Sequence, residues 1–314
     1  MPRPMPEIAF GVLAHQDPEM TRRLAAALAG HPVVLHVDAT TDITPFRDIP
    51  GVRLVEDRVD VRWGGFSEVE AVLRVYRDCL EELGDAPGSS IALLSGADFP
   101  VRPLEEFFAY AESVPWSEHV RAIPVLDGTP YMENKVRRRH FYDAAPVGGS
   151  GFSAKRRGAT RRGLSTLLPR VKPSAFEPLV PVWGSTWTML SRDCLLDILP
   201  QAHDPKVQAL FRRTQTPLEM YFATLVHSHP TWSTRTEFGV EPRDGKWPSE
   251  FPNFSYIHPT LGVWLDGSYA EEIVESGGYF ARKIRSSDLD EVLAAVEQVR
   301  AVSPGPSAPR AQQA

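Results

Sequence analysis

The chain has 314 residues, a formal net charge of −6, 42% hydrophobic and 24% charged residues, values of an ordinary globular protein with room for one large or two small domains. The acidic balance argues against bulk nucleic-acid affinity, and no apolar run approaches the roughly 18 residues of a membrane span. Two cysteines, Cys79 and Cys194, sit in helical patterns among apolar neighbours and make a disulfide framework unlikely to be the organising device.

The N-terminal stretch lacks the layout of a signal peptide, because its apolar part reads on as a strand. The expected compartment is therefore the cytoplasm, with peripheral contact at the inner membrane face left open.

The first 125 residues alternate strand and helix. "IAFGVLA" (8–14) is a buried-strand run, followed by Asp17 as helix N-cap and Pro18 in the first turn. Met20, Leu24 and Leu28 mark one helical face, which Gly30 stops. "PVVLHVD" (32–38) and "VRLVE" (52–56) are the next strands. Ser67 and Glu70 make a capping box for a helix with Val72, Leu73, Tyr76 and Leu80 inward. "SIALLSG" (90–96) is a fourth strand, "PLEEFFAYAES" a helix, and "VRAIPVL" a fifth strand. Strands separated by amphipathic helices imply a doubly wound α/β sheet, with ligands beyond the carboxyl ends of its strands. His15, Asp38 and Asp98 fall there.

Residues 144–175, rich in Gly, Ser and Arg, read as a flexible basic loop, either a solvated linker or a lid over an acceptor. "VWGSTWTMLSRDCLLDIL" reads as a strand into a helix capped by Ser191. An aromatic- and Pro-rich region, 231–265, precedes a last helix at 288–301, and 302–314 is too polar and Pro-rich to pack. The expected organisation is one domain over 1–301, with halves at 8–125 and 176–301 on either side of the 144–175 loop.

Few residues have the spacing of a reactive site. A divalent cation at a strand end wants paired carboxylates, and Ser95-Gly96-Ala97-Asp98 offers one. Asp288-Leu289-Asp290 is an Asp-x-Asp, but it starts a helix, where acidic residues complement the dipole. Neither a metal nor an organic cofactor is expected. Arg282-Lys283 reads as a surface pair or as a diphosphate contact. "TPLEMYFATL" (216–225) opens with Thr216, Pro217 and Glu219, a capping box by pattern. It also reads as a carboxylate held at a helix start, ready to take a proton.

Seven segments in order, "GVLAHQDPE", "VLHVDA", "VRWGGFSEVEAVL", "ALLSGADFPVRPLEE", "GSTWTMLSRD", "TPLEMYFATL" and "YFARKI", span about residues 8–290. Together they resemble the core-2/I-branching β-1,6-N-acetylglucosaminyltransferase family in its short bacterial form. Animal members carry a signal anchor and several disulfides; with two cysteines and no anchor pattern in this sequence, neither is expected here.

The resemblance implies a GT-A-like fold and a metal-independent transfer from a UDP-sugar that inverts the anomeric centre. It assigns the uridine to Asp38 and the backbone near Val12, and the diphosphate to Lys283. The family's second diphosphate Arg has His258 and Thr260 in its region here, with Arg282 as a substitute. The base falls on Glu219, with Leu218 where the family usually has Asp. Lys135 and Arg138, three apart, match sugar contacts of the animal enzymes, with Glu133 and Asp98 as further candidate substrate contacts.

The expected reaction moves N-acetylglucosamine to a hydroxyl of a glycan or a glycosylated small molecule. UDP-xylose is the alternative donor, and a sugar- or nucleotide-binding protein without turnover is the alternative class. A donor screen and a UDP-release assay separate these readings.

Overall fold

The computed structural model describes residues 7–113, 118–126, 130–144, 152–236, 253–260, 262–303 and 305–306. In chain order, β1 (Ile8–Ala14) leads into α1 (Pro18–Ala27), β2 (Val33–Val37), a single turn α2 (Thr44–Arg47) and β3 (Val52–Leu54). Next come α3 (Ser67–Leu83), β4 (Ser90–Ser95), β5 (Asp98–Pro100) and α4 (Leu104–Ser113). The middle of the chain holds β6 (Ala122–Pro124), α5 (Pro130–Arg137), α6 (Phe152–Leu167), β7 (Val182–Gly184) and β8 (Met189–Ser191). Helices α7 (Arg192–Ala202), α8 (Pro205–Phe211) and α9 (Tyr221–Ser228) then precede β9 (Ser255–Ile257), α10 (Ala270–Ser276), β10 (Phe280–Arg282) and α11 (Leu289–Val302).

The central sheet has the order β3-β2-β1-β4-β8. Its first four strands are parallel, and β8 runs antiparallel beside β4. Strands covered on both faces read as continuous apolar runs, which is why "IAFGVLA" and "SIALLSG" carry so little alternation. Successive side chains still point to opposite faces. Ala9 packs into the cluster built on α3, α7 and α9. Ile8, Phe10 and Val12 pack into the other, built on α1, α4, α10 and α11. This is the mixed, parallel-rich α/β sheet of a GT-A-like domain.

From β1 the chain runs to one side through β2 and β3, then returns to place β4 on the other side of β1. The crevice beyond the carboxyl ends of β1 and β4 is thus a switch point, where such sheets take ligands. A second sheet, β5-β10-β9, closes over that end. Its antiparallel register sets Arg282 opposite Asp98.

Four local expectations differ from the structure. The segment around 120–126 yields only β6, which pairs with β7 in a separate two-stranded sheet. The fifth place in the main sheet belongs to β8, because β4 still needs a partner on that edge. Ser67 is not the cap of α3. Its hydroxyl, with the Phe66 and Ser67 backbone N–H groups, donates to Asp143, a carboxylate 76 residues downstream. A Cβ at Gly65 would lie 2.1 Å from Asp143 Oδ1, so the Gly64-Gly65 pair is what admits this distant cap.

Within 144–175, α6 forms a 16-residue helix where a loop was expected. Its Ala, Lys, Arg and Leu residues are good helix formers, enough to carry two glycines. "YFARKI" is a buried strand rather than a surface turn. At the C-terminal end, Val302 closes α11 and the Pro306 carbonyl accepts from Arg102 at 3.3 Å. Residues 307–314 lie outside the described residues.

Candidate active site

A cavity of about 1020 Å³ opens at the switch point. The ends of β1, β2 and β4 form its floor, β10 and the 258–264 segment one wall, and α3 with the Pro217–Glu219 turn the other. It is large enough for a nucleotide-sugar and part of an acceptor. Both non-glycine residues with left-handed backbone, Asp17 (φ +50°) and Thr216 (φ +49°), stand on its rim. Such conformations persist where the surroundings impose them, often at sites of function. Asp17 caps α1 through Met20 N–H at 3.0 Å and accepts from Ser286 N–H at 2.9 Å, which ties the first helix to the segment after β10.

The cationic wall is assembled before any ligand arrives. Arg282 is 8% exposed, with Nε 3.3 Å from Asp98 Oδ1 and its guanidinium 3.8 Å from the centre of the Trp187 ring. Asp98 is fully buried and also accepts from Ser95 N–H. Burial pushes its carboxyl up, against the pull of Arg282. The half-buried Lys283 lines the cavity, its ammonium pushed down by burial and then by Arg282. A bound anion would relieve both effects. His15 stands on the same wall, pushed down by burial, with Asp38 and Lys283 as its charged neighbours. Asp38 accepts from Thr40 N–H at 2.7 Å and from Val61 N–H at 2.9 Å, so its carboxylate ties its own loop to the segment after β3 while lining the cavity.

On the opposite wall stands Glu219. The capping box does not form: Thr216 makes no side-chain cap, and Pro217–Glu219 is a 3₁₀ turn before α9. Left-handed backbone at Thr216 turns the cap geometry away and frees Glu219 to face the cavity. Its Oε2 accepts from Trp183 Nε1–H at 2.7 Å. Trp183 comes from β7, with Lys135 Nζ 4.8 Å from the centre of its ring on the side away from solvent. The indole thus fixes one carboxylate oxygen of Glu219, and the residue lines the cavity. Glu68, in the first turn of α3, is a second carboxyl on this wall. Burial, and then Glu219 and Asp143 against a Gly64 N–H that pulls the other way, push it up to about 8.

Asp38, Arg282, Lys283 and Glu219 are therefore gathered on one cavity, although Arg282 and Glu219 are 63 residues apart. Other expected contacts are not on its wall. Val12 lies at the middle of the sheet, paired with Leu35 and Leu94, and the lining begins one residue later at Leu13. Asp98 is behind the floor as the counter-ion of Arg282. Lys135 is 1% exposed beneath Trp183, and Glu133 is bound to Arg137 at 2.6 Å. Arg138 follows the end of α5 and does not line the cavity either. Sequence reasoning missed Trp183, Trp187 and Glu68. The two tryptophans flank Gly184-Ser185-Thr186, but only the fold shows what their rings face, and Glu68 carries no distinguishing spacing. Among the described residues no group of three or more His, Cys, Asp or Glu side chains has the arrangement of a metal site.

The family model for the Core-2/I-Branching enzyme matches residues 8–238, most of the chain. No curated protein matches it. The chain belongs to the core-2/I-branching family of glycosyltransferases, enzymes that take a sugar donor and a glycan acceptor. The matched span includes Asp38 and Glu219. Arg282 and Lys283 lie beyond it, so their place in the site rests on the geometry above.

Proposed function

We propose that this core-2/I-branching glycosyltransferase moves N-acetylglucosamine from its UDP-sugar to a sugar hydroxyl, inverting the anomeric centre without a metal ion. The observation that carries the reading is the polarity of the cavity. A carboxylate anchored by an indole faces it from one wall, and a buried arginine with an adjacent lysine faces it from the other.

In this reading uridine lies over the ends of β1 and β2, beside Asp38, and the diphosphate lies against Lys283 and Arg282. The acceptor hydroxyl enters from the Glu219 side. Its oxygen attacks the anomeric carbon as the free Glu219 oxygen takes its proton. The bond to the diphosphate breaks, and the electron pair leaves with UDP. One displacement with the base opposite the leaving group inverts the configuration. Proton removal of this kind is typically worth about 10²–10⁴-fold. Charge grows on the diphosphate as the bond breaks, and fixed cations in a poorly solvated wall stabilise it without rearranging. Asp98 is engaged as the counter-ion of Arg282, and among the described residues no cluster of His, Cys, Asp or Glu side chains is arranged to hold a cation, which supports the metal-free form of the mechanism.

The test is UDP release from UDP-N-acetylglucosamine and from UDP-xylose, each with a panel of glycoside acceptors in excess chelator, followed by NMR of the product anomer. Transfer with inversion under chelation is the expected result. A strict Mn²⁺ or Mg²⁺ requirement overturns the metal-free mechanism, and UDP binding without turnover on any acceptor overturns the transferase reading of the site.

A further inference from the structure

Glu68 has no part in the mechanism above, yet it shares the cavity wall with Glu219. The charged groups facing it are Glu219, from the turn before α9, and Asp143, from the segment after α5. Both are acidic. Arg212 is engaged by Glu70 at 2.9 Å and lies over the Phe66 ring. One backbone group, Gly64 N–H, donates to the Glu68 carboxyl. A carboxylate in the first turn of a helix is ordinarily favoured by the dipole. Here burial comes first and the two acidic neighbours follow, and together they hold the group protonated through neutrality. A carboxylic acid kept neutral at such a site is a hydrogen-bond donor, which a carboxylate is not.

We propose that Glu68 is an acceptor-binding residue that donates a hydrogen bond to one oxygen of the sugar acceptor while Glu219 accepts from the hydroxyl that reacts. The inference rests on the glycosyltransferase reading of this cavity. One donor and one acceptor side by side match two oxygens of an uncharged sugar, each of which can both donate and accept. The pair therefore selects a neutral glycan edge. An amino sugar would demand the reverse, two ionised carboxylates around an ammonium group. As pH rises through the point where Glu68 ionises, the donor is lost and a second negative charge appears beside the base. Acceptor affinity then falls on the alkaline side.

Two arms test this on the full chain. In the first, protein labelled with ¹³C at the glutamate carboxyl carbons and saturated with UDP is titrated through neutral and alkaline pH. One carboxyl is expected to titrate near 8, to vanish in Glu68→Gln and to move down only partway in Glu219→Gln, because burial is the larger cause. A spectrum in which no glutamate titrates above the ordinary range overturns the proposal. This arm needs no turnover, so its outcome is independent of whether UDP-N-acetylglucosamine is the right donor.

In the second arm the probes are methyl β-galactoside, methyl β-N-acetylglucosaminide and the matching 2-amino glycoside, with UDP release as readout. Glu68→Ala is expected to raise the KM of the neutral acceptors about tenfold, with a smaller change in kcat and none in UDP affinity. Glu68→Gln, which keeps a donor, should recover most of that loss and remove the alkaline limb. Unchanged acceptor KM in Glu68→Ala, or preference for the amino glycoside, overturns the proposal.

Discussion

The two walls of the cavity are built on different principles. The donor wall is made of strand ends and a preformed ion pair, with Asp98 set against Arg282 and accepting from Ser95, and Asp38 accepting from backbone N–H groups of two loops. The opposite wall is made of a 3₁₀ turn and the start of a helix. There Trp183 donates to Glu219, and Glu68 is a buried carboxyl with acidic neighbours. The first arrangement suits a ligand whose charge is fixed, since a preformed cation costs no reorganisation when a diphosphate arrives. The second suits proton transfer, where a carboxyl needs an unoccupied oxygen and a tunable environment. Changes on the donor wall should therefore disturb UDP binding and stability together, and changes on the other wall should disturb turnover or acceptor affinity while leaving UDP binding intact.

The sharpest break of that contrast is Glu219→Gln. The amide can still accept from Trp183, so fold and UDP affinity should persist while turnover falls by about 10²–10⁴-fold. Near-normal turnover would return Glu219 to a structural role. Asp98→Ala should act the other way. It leaves a buried guanidinium without its counter-ion, at a cost of about 3–5 kcal/mol, read by urea unfolding, with loss of UDP affinity alongside. A stable variant with normal UDP binding would mean that Arg282 does not depend on this pair.

Lys283→Ala should weaken UDP-sugar binding and slow transfer by about tenfold or more each, with Lys283→Arg restoring part, because the two cations differ in geometry. A change confined to kcat would move Lys283 off the ground-state diphosphate. Trp183→Phe keeps a ring beside Lys135 but removes the N–H that holds Glu219. Turnover should fall by roughly tenfold, the scale of a hydrogen bond to a charged group, with UDP affinity intact. Equal losses in both would erase the distinction between the walls.

The smallest effect concerns pH. His36 Nε2 accepts from Val59 N–H at 2.9 Å, and burial holds its ring well below its ordinary 6.5, at about 4. His119 and His227, also buried, are pushed down to about 4. Because these folded values lie below the unfolded one, the unfolded chain binds protons first. Their stabilising contribution is complete above about 6.5 and is lost as pH falls toward 4. His36→Gln should reduce the slope of stability against pH in that window by about 1.4 kcal/mol per unit, one proton's worth. An unchanged slope would show that His36 does not hold its neutral form.

Local pattern was a good guide where one element answers for itself. The caps Asp17 and Ser191 both accept from the N–H three residues on, as their spacing suggests. The continuous apolar runs of β1 and β4 were legible because burial on both faces leaves no alternation. The same reasoning failed at Ser67 and at Thr216. At the first, a remote carboxylate outcompetes the local hydroxyl for the helix N-terminus. At the second, left-handed backbone abolishes the box that the residue types announce. Lys135 and Arg138 had the spacing of sugar contacts, but α5 turns Lys135 beneath Trp183 instead.

By itself the sequence determined the alternation of strands and helices, the parallel character of the sheet and the family resemblance. Each rests on residues close together in the chain, or on motifs whose order survives without coordinates. Only the tertiary structure decided that Arg282 is a buried cation held by Asp98 and Trp187, that Trp183 anchors Glu219, and that Glu68 stands beside it. Those facts depend on segments tens to hundreds of residues apart being brought within a few ångströms. Desolvation and charge proximity, which set how such groups titrate and bond, are properties of the packed interior and have no counterpart in a linear pattern.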